Sequence, residues 1–536
     1  MAPGSLRRIL EPFPAVNDGI HRRIQIETEL ERRIIDHPYF QRLRRIKQLG
    51  FSYYVFPNAN HTRFEHCLGA MKLAGDFWET ILKNTAEVIN KANQNNARLN
   101  PKWQKYFATL NKSINKKKIR ELLRLSALAH DLGHGPFSHL FEELAPTWRH
   151  YGRRVPVWLR PKRINQSEKV PHEIFSVLLL QKIFNDLKKD NFFQNQWINN
   201  DLFLKFFASI TCEDVNADFS DDQLQKLVQF QLPPGSLQIV KSLISGMVDV
   251  DRMDYLYRDS YYAGVNYGFF DIDRIKESLV ICVESESNVR MGLRHSGLGA
   301  FEHYLFCLYQ MYIQIYFHKT VSACNSMLLF IHRAIEKEAK KKLDKFQKKY
   351  LFDIDGYGSL DEYEFIRNYK SLVSKTSALS AFQDLFEGRV LWKRILEINE
   401  DQDSEDIGDI DALLARKGFN NFISDRNKER YLLKGLRCKN QKDSLVLLER
   451  HLKIQIPQLK KLKDVSDLVN LYSGRSYKFH RIYAPSNDEK KIKNVIKKFY
   501  RLDLPQKKKG KPNTSLKKAR LSRHKSSNGL KLALAK

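Results

Sequence analysis

Residues 119–139 read Ile119-Arg-Glu-Leu-Leu-Arg-Leu-Ser-Ala-Leu-Ala-His130-Asp-Leu-Gly-His-Gly-Pro-Phe-Ser-His139. The first half is helical by pattern: Ile119, Leu122, Leu123, Ser126 and His130 recur on one stripe, and the helix should stop at Gly133. The second half is not core sequence. Three histidines and an aspartate fall within ten residues, at a helix end loosened by glycine. Imidazole nitrogens and carboxylate oxygens concentrated in this way suit a metal and the groups that orient its ligands.

Toward the N-terminus, Thr62-Arg-Phe-Glu65 is a capping box. It opens a helix with Phe64, Leu68, Met71, Gly75, Trp78 and Leu82 on one stripe, and His66 one turn past the cap. Toward the C-terminus, Pro233-Pro234-Gly235 breaks the chain. Val240, Ile244, Met247, Asp251 and Tyr255 then read as one helical stripe, which places Asp251 among buried residues. Asp249 and Asp254 fall on other faces, where water can reach them. A buried carboxylate needs a partner, either an arginine or a metal. A lone histidine is ordinarily a satisfied core or surface residue, but four N/O candidates on striped helices favour the metal. Leu279–Val283 and Val289–Leu293 flank a polar turn and predict a β-hairpin. The basic stretch 336–349 is helical by composition. No internal repeat is visible. The expected fold class is mainly α, with a small β-hairpin and a helical or mixed C-terminal accessory region.

The chain has 536 residues, 42% hydrophobic and 12% aromatic, which places it among globular rather than disordered sequences. No apolar run reaches the length of a membrane span, and no signal-peptide core follows the first residues. The expectation is an intracellular protein, cytoplasmic or, in a eukaryotic host, nuclear, with no membrane partner. Cysteines 67, 212, 282, 307, 324 and 438 are scattered without a C-x-x-C pair, as reduced core thiols are. Lys and Arg number 91 against 61 Asp and Glu, a net charge of +30 that predicts attraction to polyanions. Residues 501–536 carry twelve of those bases and one acid and read as a disordered basic tail. Glu397–Asp411 holds eight acids and no base, as a solvated loop does.

Several stretches together resemble a known family. Asn60-His-Thr-Arg-Phe-Glu-His66, His130-Asp131 and Asp249-Val-Asp251 resemble the H…HD…D signature of HD-domain phosphohydrolases. Phe40-Gln-Arg-Leu-Arg-Arg-Ile-Lys-Gln-Leu-Gly50, Tyr53-Tyr-Val-Phe-Pro57, His130–His139 and Asp249-Val-Asp-Arg-Met-Asp-Tyr255 look like the deoxynucleoside triphosphate triphosphohydrolases, particularly those with a SAM and an HD domain. The likeness runs in order from about Val16 to about Lys319, with no SAM-like segment before it. It implies an HD helical bundle over 1–330, with a basic insertion at about 147–166, a mostly helical accessory region over 331–500 and the tail over 501–536.

The resemblance also implies roles. His66, His130, Asp131 and Asp251 would ligate a divalent transition metal (Mn, Fe, Zn or Ni), with additional Mg accompanying the nucleotide. Such an ion lowers the pKa of a bound water. The family cleaves a dNTP at the α-phosphate into a deoxynucleoside and inorganic triphosphate. His134 and His139 match its acid/base pair, oriented by His172 and by Glu142, where the family has Asp. Arg63 and Arg252 would clamp phosphate, and Lys319 would reach the outer phosphates. Gln48 and Asp259 match residues that bind the sugar 3′-hydroxyl. Leu49, Tyr255 and Tyr316 match the wall that excludes ribonucleotides. Asp36, Gln41 and Arg44 match residues that read an activating guanine nucleotide between subunits, implying a GTP- or dNTP-assisted homotetramer. A family lysine at the activator triphosphate is Pro14 here.

Some features lie outside that likeness. Residues 147–166 interleave Arg149, Arg153, Arg154, Arg160, Lys162 and Arg163 with Trp148, Tyr151 and Trp158, as single-stranded nucleic-acid binders, nucleotide-steering flaps and plain solvated loops all can. Asp353, Asp355, Gly358, Asp361 and Glu364 hold EF-hand positions 1, 3, 6, 9 and 12, but Tyr357 stands where an oxygen ligand belongs, which favours a chance helix-turn-helix. The tail suits a nonspecific polyanion binder or a nuclear import signal. The leading alternative to a dNTP hydrolase is an HD-type nuclease or phosphodiesterase acting on single-stranded nucleic acid. The sugar-pocket residues argue against it, because a nuclease has no need to grip a free 3′-hydroxyl. A scaffold with a silent site is argued against by the intact ligand set.

Overall fold

The computed structural model describes residues 14–94, 101–212, 215–285, 288–399, 408–419, 422–426, 430–431, 445–449, 458–473, 476–477 and 479–499. The tail 501–536, Cys438 and residues 400–407 of the acidic stretch lie outside them. The fold is mainly α, in two compact units. The first comprises residues 1–321, 331–379 and 431–475; the second comprises 322–330, 380–430 and 476–536. Among the described residues, no helix is long and apolar enough to cross a membrane.

A hairpin of β1 (Ala15–Asp18) and β2 (Arg22–Gln25) opens the first unit, with Ala15 opposite Gln25. Its strands are too short and too charged to show in the hydrophobic pattern. Helix α1 (Arg63–Gln94) follows. The Thr62 amide donates to Glu65 Oε2 at 3.0 Å, one half of the expected capping box. The stripe Phe64, Leu68, Met71, Gly75, Trp78 and Leu82 is buried, but so are Cys67, Ala70, Ala74, Phe77 and Ile81. Burial on several faces makes α1 a central helix, packed on α2 (Ser113–Ala129) and on strand Leu279–Ser285. On α2, Arg124 is buried against Glu31, with Nε to Oε1 at 2.6 Å and Nη2 to Oε2 at 2.9 Å. The two charges satisfy each other in the core.

Helix α3 (His172–Lys189) starts against the loop that follows α2. A Cβ on Gly133 would lie 2.1 Å from the His172 carbonyl oxygen, so glycine permits that approach. The expected single helix through residues 240–255 is two: Ser236–Ser245, and α4 (Val250–Ala263). Gly246 ends the first. Asp249 caps the second, its Oδ1 accepting from the Arg252 amide at 2.8 Å. The break resets the helical phase. Asp251 therefore lies in a first turn with its side chain 37% exposed, whereas Asp249 and Asp254 are the buried carboxylates, the reverse of the sequence expectation.

Strands β3 (Leu279–Ser285) and β4 (Asn288–Arg294) form the expected hairpin, Leu279 opposite Leu293. Strand Val446–Glu449 extends it in parallel, and Gln458–Lys461 completes a four-stranded sheet. The EF-hand-like segment is helical: α5 (Ile354–Ser359), capped by Asp353, and α6 (Glu362–Val373), capped by Asp361. Tyr357 is buried and donates its hydroxyl to the Gly133 carbonyl at 2.7 Å. In the insertion, residues 148–151 form a helical turn that buries Trp148 and Tyr151. Those two rings are core and not a surface on which bases stack.

The second unit is mixed. Strand Phe479–Ala484 lies between Lys393–Asn399 and Ile423–Arg426, antiparallel to both. Helices Gly408–Arg416 and Ser486–Phe499 share its core of Ile395, Leu396, Ile410, Leu414, Ile482, Ile492 and Ile496.

Candidate active site

Four side chains from three helix ends converge. His66 stands in the first turn of α1, His130 and Asp131 follow the last turn of α2, and Asp251 stands in the first turn of α4. His66 Nε2 is 3.3 Å from His130 Nε2, 3.0 Å from Asp251 Oδ1 and 3.5 Å from Asp131 Oδ2. His130 Nε2 is 3.3 Å from Asp131 Oδ1 and 3.4 Å from Asp251 Oδ1. Both rings use Nδ1 elsewhere: His130 donates to the Ala127 carbonyl at 2.7 Å, and His66 donates to Asp254 at 2.8 Å. The two imidazole lone pairs and the Asp131 carboxylate lie within 4.8 Å of one another, with Asp251 beside both rings, a donor set that suits a cation. A proton is the alternative answer to the same field. Burial opposes a charge on His66, yet hydrogen bonds to Asp251 and Asp254 push its pKa up to about 10. The residues fit a divalent metal.

Asp131 links this cluster to a second one. Its Oδ1 is 3.3 Å from His134 Nε2, and its other oxygen pairs with Arg63. Despite burial, Arg63 and the nearby histidines hold the Asp131 carboxyl well below the usual range. His134 stacks on His172 with ring centroids 3.6 Å apart. Glu142 Oε1 accepts from His139 Nδ1 and His172 Nδ1, both at 2.8 Å. Burial opposes charge on both partners. The two histidines nevertheless hold Glu142 far below the carboxylate range, while Glu173 and Glu142 push His172 up to about 9. His134 is held well below the usual imidazole range by burial and by Arg63. His139 is exposed and can meet a ligand.

A polar cluster lies beyond Tyr255, whose ring is 6.4 Å from that of His66 and 6.1 Å from that of Tyr316. The Tyr316 hydroxyl donates to Asp259 Oδ2 at 2.8 Å, and His61 Nε2 bonds Asp259 Oδ1 at 2.8 Å. Gln48 is buried, its backbone N–H donating to the His61 carbonyl at 3.0 Å. Its Oε1 is a buried acceptor without a donor. His61 sat inside a quoted motif and the sequence reading passed over it, because its partner Asp259 is 198 residues away. Leu49 is half-buried, and Lys319 is exposed at the start of helix Lys319–Glu338.

The arginines each face a carboxylate, and Arg252 Nη1 is buried without a hydrogen-bond partner. Arg63 binds Asp131 and, from Nε, Ser138 Oγ at 2.9 Å; Arg252 faces Asp249 at 3.5 Å. Asp36, Gln41 and Arg44 lie at the end of helix Glu29–Asp36 and just after it. Gln41 donates to the Ile35 carbonyl at 2.7 Å, Arg44 donates to Gln41 at 2.8 Å, and Asp36 is exposed. The sequence reading also missed Glu362, whose Oε1 accepts from the Lys47 amide at 2.9 Å and the Phe137 amide at 3.4 Å. With Tyr357, it ties the histidine loop to the chain 220 or so residues onward.

The family description "HD domain" matches residues 63–203, a span that holds His66, His130, Asp131 and the second cluster. The chain carries an HD domain. Relatives of this HD-domain chain include deoxynucleoside triphosphate triphosphohydrolases, as the motifs led one to expect. It is 27% identical over 322 residues to human deoxynucleoside triphosphate triphosphohydrolase SAMHD1, covering 60% of this chain and 44% of that one. It is 32% identical over 327 residues to the uncharacterized protein MJ1154 of Methanocaldococcus jannaschii, covering 61% and 50%. The uncharacterized protein YwfO of Bacillus subtilis is 26% identical over 486 residues, covering 88% and 92%. The chain thus spans about half the length of the archaeal and human relatives. A crystal structure of a hypothetical protein from Aquifex aeolicus superposes with a TM-score of 0.58 at 25% identity, covering 90% of this chain and 99% of that one.

Proposed function

We propose that this HD-domain hydrolase is a dNTP triphosphohydrolase that releases a deoxynucleoside and inorganic triphosphate. The observation that carries the reading is the hydrogen-bonded His61–Asp259–Tyr316 cluster, placed one tyrosine ring from the candidate metal ligands, with the unpaired Gln48 Oε1 on the chain beside His61. Asp259 and Gln48 offer acceptors to a sugar hydroxyl, and Tyr255 and Tyr316 wall the C2′ side. His66, His130, Asp131 and Asp251 would hold a divalent metal, which would supply Lewis-acid charge stabilisation and lower the pKa of a water. The chain's own groups do the rest. His139, held through Nδ1 by Glu142, presents Nε2 to the 5′ oxygen that leaves, and His172 donates to the same Glu142 oxygen and fixes it. Arg63 holds Asp131 in place while its remaining donors face phosphate. Arg252 and Lys319 add positive charge around the phosphates.

The finer reading takes a dGTP-type substrate, Mn²⁺ as metal, and activation by a guanine nucleotide at Asp36, Gln41 and Arg44 in a homotetramer. It rests on the motif likeness. The nuclease alternative draws on the net charge and on the basic insertion; with Trp148 and Tyr151 buried, the insertion offers fewer rings on which bases could stack. A product assay separates the readings. Protein with Mn²⁺ is given each dNTP, with and without GTP, and a labelled single-stranded DNA in parallel. Triphosphate and deoxynucleoside from dNTP, with DNA intact, is the expected result. Shortened DNA with intact dNTP overturns it.

A further inference from the structure

The Nδ1 side of His66 is built by residues that supply no ligand. Asp254 Oδ2 accepts from His66 Nδ1 at 2.8 Å, and both side chains are fully buried. The other oxygen of Asp254 meets His21 Nε2 at 2.6 Å. Arg258, one turn along α4, donates to Asp254 from Nε at 2.7 Å and from Nη2 at 3.0 Å. The same guanidinium donates to Asp18 from Nη1 at 2.7 Å and from Nη2 at 3.2 Å. Asp18 in turn accepts the amides of Ile20 at 3.0 Å and His21 at 2.7 Å. Those two bonds close the turn between β1 and β2 and aim His21 at Asp254.

Helix α1 is shaped to admit this network. A Cβ on Gly69 would lie 1.9 Å from Asp254 Oδ1 and 2.5 Å from Arg258 Nη2. Gly69 stands nearly one turn past His66 on the same helix. Its missing side chain is the gap through which the carboxylate reaches the ring.

We propose that Asp254 is a positioning residue for the metal ligand His66, and that the N-terminal hairpin clamps Asp254 through His21 and Asp18. The inference rests on the metal reading of the site. An imidazole that gives its Nδ1 proton to a fixed carboxylate must turn a lone pair, and not an N–H, toward the metal. Asp254 offers about four acceptor positions, and His66, His21 and two nitrogens of Arg258 fill them. Loss of the His21 donor leaves one position empty and lets the carboxylate pivot. The side-chain bonds to Asp254 and Arg258 join the hairpin to α4.

The test uses the full chain, stripped of metal. Asp254→Asn, Gly69→Ala, His21→Ala and His21→Gln are compared with the unsubstituted protein. Mn²⁺ dissociation constants are measured by competition with a chelating dye, and thermal unfolding is followed with and without Mn²⁺. Asp254→Asn and Gly69→Ala are expected to weaken Mn²⁺ binding by about 10–100-fold and to shrink the Mn²⁺-dependent rise in Tm. His21→Ala should do the same to a smaller degree. His21→Gln, which restores an N–H donor, should recover part of the affinity. A merely structural network lowers the metal-free Tm and leaves the Mn²⁺ affinity of the folded variants unchanged, and that result overturns the proposal. If Asp254→Asn does not fold, the His21 pair decides. An unsubstituted protein that binds none of Mn²⁺, Fe²⁺, Zn²⁺ or Ni²⁺ overturns the metal reading and the proposal together.

Discussion

Two histidine clusters lie on either side of Asp131, and they are wired in opposite senses. In the first, His66 and His130 give their Nδ1 protons to Asp254 and to the Ala127 carbonyl, outside the cluster. Their Nε2 atoms face each other and two carboxylates across 3.0–3.5 Å. In the second, His139 and His172 give their Nδ1 protons to Glu142, inside the cluster. The same residue types thus turn ring lone pairs toward one another in one place and share one carboxylate oxygen in the other. What differs is where each imidazole spends its proton.

That contrast breaks most directly at Asp251. Asp251→Ala should cost bound metal and lower turnover by about 10³-fold or more. Elemental analysis beside a turnover assay checks it, and full metal content in the variant would merge the two clusters' roles. His139→Ala is expected to lower turnover by about 10²–10⁴-fold while leaving the metal in place, the range for a general acid. Loss of metal in that variant would mean the second cluster also ligates.

A third substitution sharpens the contrast away from both clusters. Tyr316→Ala removes the hydroxyl that donates to Asp259 and the wall beside Tyr255. Discrimination of dNTP over the matching ribonucleotide should fall by about fivefold or more, on the scale of one hydrogen bond. Parallel kcat/KM measurements on the two substrates read it. Unchanged selectivity would argue that the cluster does not hold the sugar.

The smallest expected effect concerns Glu362. Burial pushes its pKa up to about 7, against the pull of the Lys47 and Phe137 amides. The folded value lies above the unfolded one, so the proton is held more tightly in the folded state. The stability it contributes is full below the unfolded value of about 4.5 and is lost as pH rises through about 7. Glu362→Gln should flatten the fall in Tm between pH 5 and 8, as thermal unfolding at stepped pH would show.

Much of the site was legible in the sequence because it is written in local terms. Helix stripes, the cap at Thr62 and the run His130–His139 are statements about neighbours within one turn or two. The Leu279–Val283 and Val289–Leu293 hairpin is equally local and appears as expected, with Leu279 opposite Leu293. Residue type set the donor chemistry, since imidazole and carboxylate in that concentration leave few other uses. The phase of α4 was not legible. Periodicity carries through a continuous helix only, and the break at Gly246–Asp249 rotates the residues that follow. That rotation decided which of Asp249, Asp251 and Asp254 faces the ligands and which is buried behind them. Trp148 and Tyr151 read as a surface from composition and are core, because burial depends on what packs from elsewhere in the chain. The partners His61 with Asp259, His21 with Asp254 and Tyr357 with Gly133 are likewise set by contacts across about 200 residues, which no local spacing encodes.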